Sequence, residues 1–369
     1  MKSSSRKNRV RGKTWMIYGA TGYTGRLIAE EACRRGYTPV LAGRSEKAVT
    51  QLASKLGLPA RTFSVEAPET IAAQLDGITA VLHCAGPFSA TSRSMLAACL
   101  HTGVHYLDIT GEIAVFEAIH QRSAEIARAR ISAIPGVGFD VVGSDCLAAL
   151  LKRALPDADR LRMGMQWVGG RMSKGTIKSM VEGIAKGGCV RRDGKLTQVP
   201  AAYKIARIPF QGENQRQLAV SIPWGDVSTA FYSTGIGNIE FYFAKSAVEI
   251  ALLRAVNPFQ HVIARPAVQT LLKHAVDWIA EGPTDDVRSA ARSFLWGEAE
   301  NRAGKKIALR MRLPEGYTFT YLAALASLER VLAGGVPSGA LTPSMAFGAD
   351  FAAELPGVSI EQIAPAAPV

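Results

Sequence analysis

The stretch Thr14-Trp15-Met16-Ile17-Tyr18-Gly19-Ala20-Thr21-Gly22-Tyr23-Thr24-Gly25-Arg26-Leu27-Ile28-Ala29 decides the fold. Residues 14–18 form a short apolar run that reads as a strand. From Gly22 onward the apolar residues recur at helical spacing, with Leu27, Ile28 and Ala32 on one face and Gly36 closing a helix expected over 22–35. Between strand and helix lie three glycines, Gly19, Gly22 and Gly25, in the spacing G-x-x-G-x-x-G. A first glycine permits the tight turn, a second lets backbone approach a pyrophosphate, and a third lets helix pack closely on sheet. The phosphates then face free backbone amides at the positive end of the helix dipole. Gly19, Ala20, Thr21, Gly22, Tyr23, Thr24 and Gly25 are therefore expected to bind a dinucleotide.

Outward from this loop the alternation continues. Strands are expected at 39–42, 61–65, 78–84, 104–108 and 131–135, separated by helices at 47–56, 68–75, 92–101 and 114–129. This is the α/β pattern of a doubly wound, Rossmann-type parallel sheet. After about residue 151 the pattern changes. Glycines gather at 169–170 and 187–188, and 217–222 and 239–243 read as antiparallel strands, with helices expected at 248–255, 268–280 and 321–332. The expected division is a basic tail at 1–13, a dinucleotide-binding domain at 14–146 and a second, mixed α+β substrate domain at 147–335. A C-terminal segment, 336–369, is left free to pack back on the first domain.

The end of the second strand selects between the two nicotinamide cofactors. An NAD enzyme usually places a carboxylate there for the ribose hydroxyls. This chain reads Ala42-Gly43-Arg44-Ser45. Arg44 offers a planar guanidinium and Ser45 a hydroxyl to a 2′-phosphate, so the expected cofactor is NADP. After the fourth strand, Ala85, Gly86 and Pro87 would pass close to the cofactor. His83 and Cys84 just before them are read as packing residues.

The glycine loop, Ala42 to Ser45, Ala85-Gly86-Pro87-Phe88, Tyr106-Leu107-Asp108-Ile109-Thr110-Gly111-Glu112 and Gly138-Phe139-Asp140 through Ser144-Asp145 occur in order. Together they resemble the saccharopine dehydrogenase-like superfamily, and within it the trans-acting enoyl reductase branch. The resemblance implies an NADP-binding domain followed by an α/β substrate domain that reduces a carbon–carbon or carbon–nitrogen double bond. One motif departs from the pattern, with Gly143 where relatives often carry proline. Asp140 is a candidate for lining the crevice, and Asp145 a candidate helix cap.

The proton donor is not fixed by any motif. A short-chain dehydrogenase would use Tyr-x-x-x-Lys, and Tyr242-Phe243-Ala244-Lys245 has the wrong spacing. Lys174, Tyr232 and Asp140 are the catalytic candidates, for proton donation or oxyanion contact. The expected activity is NADPH-dependent reduction of a hydrophobic or carrier-bound enoyl substrate. The alternatives are a saccharopine-type dehydrogenase of an amino-acid-derived imine and a non-catalytic NADP-binding redox sensor.

Composition narrows the partners. The net charge of +12 over 369 residues suits a phosphorylated ligand or an acidic carrier, while no recognition-helix or zinc-finger signature supports nucleic-acid binding. The five cysteines, Cys33, Cys84, Cys99, Cys146 and Cys189, form no close pair, so neither a disulfide framework nor a metal site is expected. No apolar run long enough for a membrane span occurs. A cytoplasmic location is expected, with a small-molecule or acyl-carrier-bound substrate; a homo-oligomer stays open.

Overall fold

The computed structural model describes residues 12–276, 278 and 282–365. All but Gly12 and Lys13 of the expected basic tail lie outside them, as do residues 277, 279 and 280 of the helix expected at 268–280. The chain divides into two compact units, Met1–Val142 with Tyr317–Phe351, and Gly143–Gly316 with Ala352–Val369.

The first unit is built on β1 (Trp15–Tyr18), β2 (Val40–Gly43), β3 (Ala60–Thr62), β4 (Ala80–His83), β5 (His105–Asp108) and β6 (Ser132–Ile134). A short strand, Gly339–Ala340, completes a seven-stranded sheet in the order Gly339–Ala340, β6, β5, β4, β1, β2, β3. Every pairing in it is parallel. Such a sheet is covered on both faces, and β1 and β2 are buried at every position while the edge strand β3 is largely exposed. Trp15, Ile17, Leu41, Leu82, Leu107 and Ile134 point to one core, while Met16, Tyr18, Val40, Val81, Tyr106 and Ala133 point to the other. The period of two thus places one residue set under each helical layer. The order reverses at β1, which lies between β2 and β4, and this switch point opens a crevice at the carboxyl ends of the strands.

Some expected boundaries shift for local reasons. The strand expected at 61–65 stops at Thr62, because its sole partner β2 ends at Gly43. The helix expected at 114–129 divides into Ile113–Gln121 and Ser123–Arg128 where the Arg122 amide turns back to the Ile119 carbonyl.

The second unit carries β7 (Ala158–Val168), β8 (Gly188–Arg192), β9 (Lys195–Val199), β10 (Ile205–Ile208), β11 (Gln217–Ser221), β12 (Asn238–Ala244), β13 (Arg292–Asn301) and β14 (Lys306–Pro314). With the strand Ser359–Ile363 they form a nine-stranded sheet. It is mixed: β12 and β7 run parallel, while β7 and β13, and β13 and β14, are antiparallel. Gly143, in the first turn of the helix Val142–Ala154, packs on this sheet. A Cβ there would meet Leu295 at 2.9 Å and Leu313 at 3.1 Å, which gives the departure from proline a packing reason. Asp145 lies within that first turn and is fully buried.

The division along the chain is not the contiguous one expected. The helix Gly316–Ala333 falls within the expected substrate domain, yet Tyr317 onward belongs to the first unit. Its Ala324, Leu325, Leu328 and Val331 join Ile28 and Ala32 over one face of the parallel sheet. The remaining C-terminal chain is shared, because Gly339–Ala340 pairs with β6 and Ser359–Ile363 with β14.

Candidate functional site

The glycine loop sits at the switch point and is tied to its neighbours by backbone bonds. The amides of Gly19 and Ala20 donate to the Ala42 carbonyl at 2.9 and 3.1 Å, and the Cys84 amide donates to the Tyr18 carbonyl at 2.7 Å. Gly19 has φ +82°, and a Cβ on it would stand 2.7 Å from the Ala85 nitrogen. The loops after β1 and β4 therefore touch, and only glycine permits that approach. A Cβ on Gly25 would fall on the Gly19 carbonyl oxygen. Thr21 and Gly22 are exposed at the mouth, with Tyr23 and Thr24 half-buried behind them.

Helix N-termini along this edge differ in what fills them. The helix Glu46–Leu56 is capped by Ser45, whose Oγ accepts the Ala48 amide at 3.5 Å. The helix Phe88–Thr102 is closed by Glu112, which accepts the amides of Phe88 and Ser89 at 2.7 and 2.9 Å. The helix Tyr23–Arg34 begins at Gly22 with no side-chain cap and no acidic residue in its first turn. The positive end of its dipole therefore meets no side-chain carboxylate of its own first turn. Arg44 and Ser45 stand exposed just beyond β2, and residues 42–45 themselves carry no carboxylate.

Behind the loop after β4 lies a buried polar chain. His83 is fully buried, its Nε2 2.9 Å from Thr91 Oγ1. The Thr91 hydroxyl donates to the Ala85 carbonyl at 2.7 Å, so its proton is spent and His83 Nε2 must be the donor. Burial drives the imidazole down to about 3 from its ordinary 6.5, keeping it neutral. His83 thus positions the Ala85 loop rather than titrating in the working range. Cys84 is equally withdrawn, since burial pushes its thiol far above the usual range. Gly86 and Pro87 are exposed next to them.

Asp108 organises the neighbouring strand ends. It accepts the Tyr106 hydroxyl at 2.6 Å, the Thr110 amide at 3.0 Å and the Gly136 amide at 2.9 Å. Burial raises its carboxyl to about 6 despite these donors. Asp140 is likewise raised to about 6 by burial, although its side chain keeps partial exposure. Its Oδ2 occupies the space a Cβ on Gly111 would need, at 2.5 Å. Tyr317 packs its ring edge on Tyr23 at 4.8 Å between centroids, bringing the helix Gly316–Ala333 against the glycine loop.

The other two catalytic candidates stand on the second unit. Lys174 is half-buried at the start of the helix Lys174–Lys186, and Tyr232 is half-buried in the helix Asp226–Thr234, edge-on to Phe231. Sequence reasoning missed Glu112, Asp108, Thr91 and Tyr317. Glu112 and Asp108 were in a quoted motif, but their roles depend on bonds to residues more than 20 positions away.

Comparison with known proteins agrees with this geometry. Residues 15–134 match the model of the saccharopine dehydrogenase NADP binding domain. A trans-acting enoyl reductase of Mycobacterium leprae is 33% identical over 153 residues, covering 38% of this chain and 36% of that protein. One from Mycobacterium tuberculosis is 32% identical over 154 residues, with 38% and 36% covered. The chain thus spans little more than a third of the length of these curated relatives. Saccharopine dehydrogenase (L-Glu forming) of Saccharomyces cerevisiae shares the fold at a TM-score of 0.64 and 10% identity, covering 96% of this chain and 100% of that one. Homospermidine synthase of Legionella pneumophila, solved with NAD, gives 0.61 and 9%, covering 95% and 92%.

Proposed function

We propose that this protein is an NADPH-dependent reductase of the carbon–carbon double bond in a hydrophobic or carrier-bound enoyl substrate. The observation that carries the cofactor assignment is the uncapped N-terminus of the helix Tyr23–Arg34, flanked by Arg44 where an NAD enzyme would carry a carboxylate. The cradle fits: glycines stand where a Cβ would strike backbone, and the domain model that residues 15–134 match is an NADP-binding one. The names of the mycobacterial relatives support the enoyl class of substrate.

Gly19 to Gly25 would hold the pyrophosphate, Arg44 and Ser45 the 2′-phosphate, and the Ala85, Gly86 and Pro87 backbone the nicotinamide side. When bound there, NADPH would supply a hydride, received at the β-carbon of an enoyl substrate. The chain's own task is to orient the acceptor and deliver a proton to the α-carbon. Asp140, whose carboxyl burial raises to about 6, is the candidate to carry that proton, held mainly below that pH. Lys174 and Tyr232 are assigned to proton donation or oxyanion contact on their chemistry alone.

The test is NADPH consumption by the purified chain against enoyl thioesters, free and carrier-bound, and against 2-oxo acids with amines. Turnover confined to the enoyl arm is expected. Turnover confined to the oxo-acid and amine arm, or tight NADPH binding with no turnover in any arm, would overturn the reading.

A further inference from the structure

The helix Gly316–Ala333 reaches two loops of the first unit from one face. Tyr317 and Thr320 are three positions apart, so their side chains are neighbours on the helix surface. Tyr317 sets its ring edge against Tyr23, the residue that follows Gly22, at 4.8 Å between centroids. Thr320 is buried, and its Oγ1 accepts the Phe139 amide at 3.1 Å across 181 residues of sequence. Phe139 is the residue before Asp140. Phe319, between the two, meets the Phe139 ring edge-to-face at 6.1 Å.

The loop that carries Asp140 is held at both ends. Asp108 holds its start: the carboxylate accepts the Gly136 amide at 2.9 Å, and the Asp108 carbonyl accepts the Val137 amide at 2.7 Å. Gly136 has φ +76°, and a Cβ on it would stand 2.9 Å from both Phe116 and Val141. At Gly138 a Cβ would meet Thr320 Cγ2 at 3.2 Å and Ile109 Cβ at 3.4 Å, so the loop lies directly on the threonine. Past the Phe139 amide, the Asp140 carboxyl rests over Gly111, in space that a Cβ there would fill. The carboxyl is thus carried one residue beyond the Thr320 bond. A buried amide that loses its acceptor must find another or shift, and a shift of the Phe139 peptide moves Asp140 with it.

We propose that Thr320 is a positioning residue: with Tyr317 it makes the helix Gly316–Ala333 a brace that fixes the Asp140 carboxyl relative to the glycine loop. One rigid element touching both loops sets the separation between the cofactor cradle and the proton-carrying group, which orienting a substrate between them requires. The use of that placement rests on the reductase reading, whereas the placement itself is read without substrate. The full chain is labelled for NMR at its aspartate carboxyl carbons, and the Asp140 resonance is identified by its loss in Asp140→Asn. Following that one resonance separates Asp140 from Asp108, which burial raises into the same range. Its titration is compared in the parent, Thr320→Val and Thr320→Ser. Valine keeps the shape of the side chain without the acceptor oxygen, and serine keeps the oxygen. In the parent, burial holds the Asp140 carboxyl at about 6. Thr320→Val should lower the midpoint by at least about one pH unit, because a released loop exposes the carboxyl to water. Thr320→Ser should keep the parent midpoint. Gly138→Ala presses on the Thr320 methyl group from the loop side and should shift the midpoint as Thr320→Val does, which keeps the test open if the valine variant does not fold. Melting temperatures identify the folded variants. An unchanged midpoint in folded Thr320→Val, or in Gly138→Ala in its place, overturns the proposal, as does a shift in Thr320→Ser equal to that in Thr320→Val. A chain that shows the expected shifts and turns over no enoyl substrate keeps the brace and loses the reductase reading.

Discussion

Glu112 closes the N-terminus of the Phe88–Thr102 helix by accepting the Phe88 amide at 2.7 Å across 24 residues of sequence. The bond places a negative charge at the positive end of a helix dipole and satisfies amides that would otherwise lack partners. Glu112→Ala should therefore cost about 2 kcal/mol of stability in chemical denaturation. Glu112→Gln, which keeps an acceptor oxygen without the charge, should cost less than half of that. Equal losses would mean that the charge contributes nothing.

The bond between His83 and Thr91 yields a pH-dependent prediction. The folded-state value of His83, about 3, lies below its ordinary 6.5, so the unfolded chain binds the extra proton between these limits. The stability that neutral His83 contributes is present above pH 6.5 and is lost as pH falls toward 3. His83→Leu should be destabilising at pH 7, because it strips the Thr91 hydroxyl of its donor. Its penalty relative to the parent should shrink by about 2 kcal/mol between pH 7 and pH 5. Asp108 and Asp140, both raised to about 6, shift stability in the opposite direction, and the comparison of the two proteins at each pH cancels them. A penalty independent of pH would show that the imidazole protonates in the folded chain.

Gly22 and Gly25 separate a binding role from a folding role. A Cβ at Gly22 meets only the Gly19 carbonyl, at 3.3 Å, whereas one at Gly25 overlaps that oxygen. Gly22→Val should abolish NADPH binding while leaving a native circular dichroism spectrum, because the added side chain fills the phosphate space. Gly25→Ala should destabilise the fold as well, lowering the unfolding midpoint. Normal NADPH binding by Gly22→Val would reduce the loop to a turn.

The sequence made the parallel sheet and its glycine loop legible because both are local patterns. The Trp15 to Tyr18 run, the three glycines and the following helical period lie within 20 consecutive residues. Membership of the helix Gly316–Ala333 was not legible. Its apolar stripe shows that Leu325 and Leu328 are buried, but periodicity cannot say which sheet they cover. The roles of Glu112 and Thr91 were hidden for a related reason, since their partners are set by the meeting of loops rather than by spacing. His83 was legible as a packing residue, but the bond that makes it a positioning group was not.

The net charge of +12 bears on delivery of the substrate. If an acidic carrier presents the enoyl group, long-range attraction speeds the encounter and salt screens it. Reduction of a carrier-bound substrate should fall steeply between low and physiological salt, while reduction of a small uncharged thioester should not. Identical salt profiles would point to a free small molecule.

The central claim is that Arg44, standing where an NAD enzyme would carry a carboxylate, makes this an NADPH site. Titration of the chain with NADPH and NADH, in the parent and in Arg44→Ala, tests it most directly. The parent should bind NADPH at least about tenfold more tightly, about 1.4 kcal/mol, and Arg44→Ala should lose that preference while keeping its affinity for NADH. Equal affinities in the parent, or an undiminished preference in Arg44→Ala, would contradict the account.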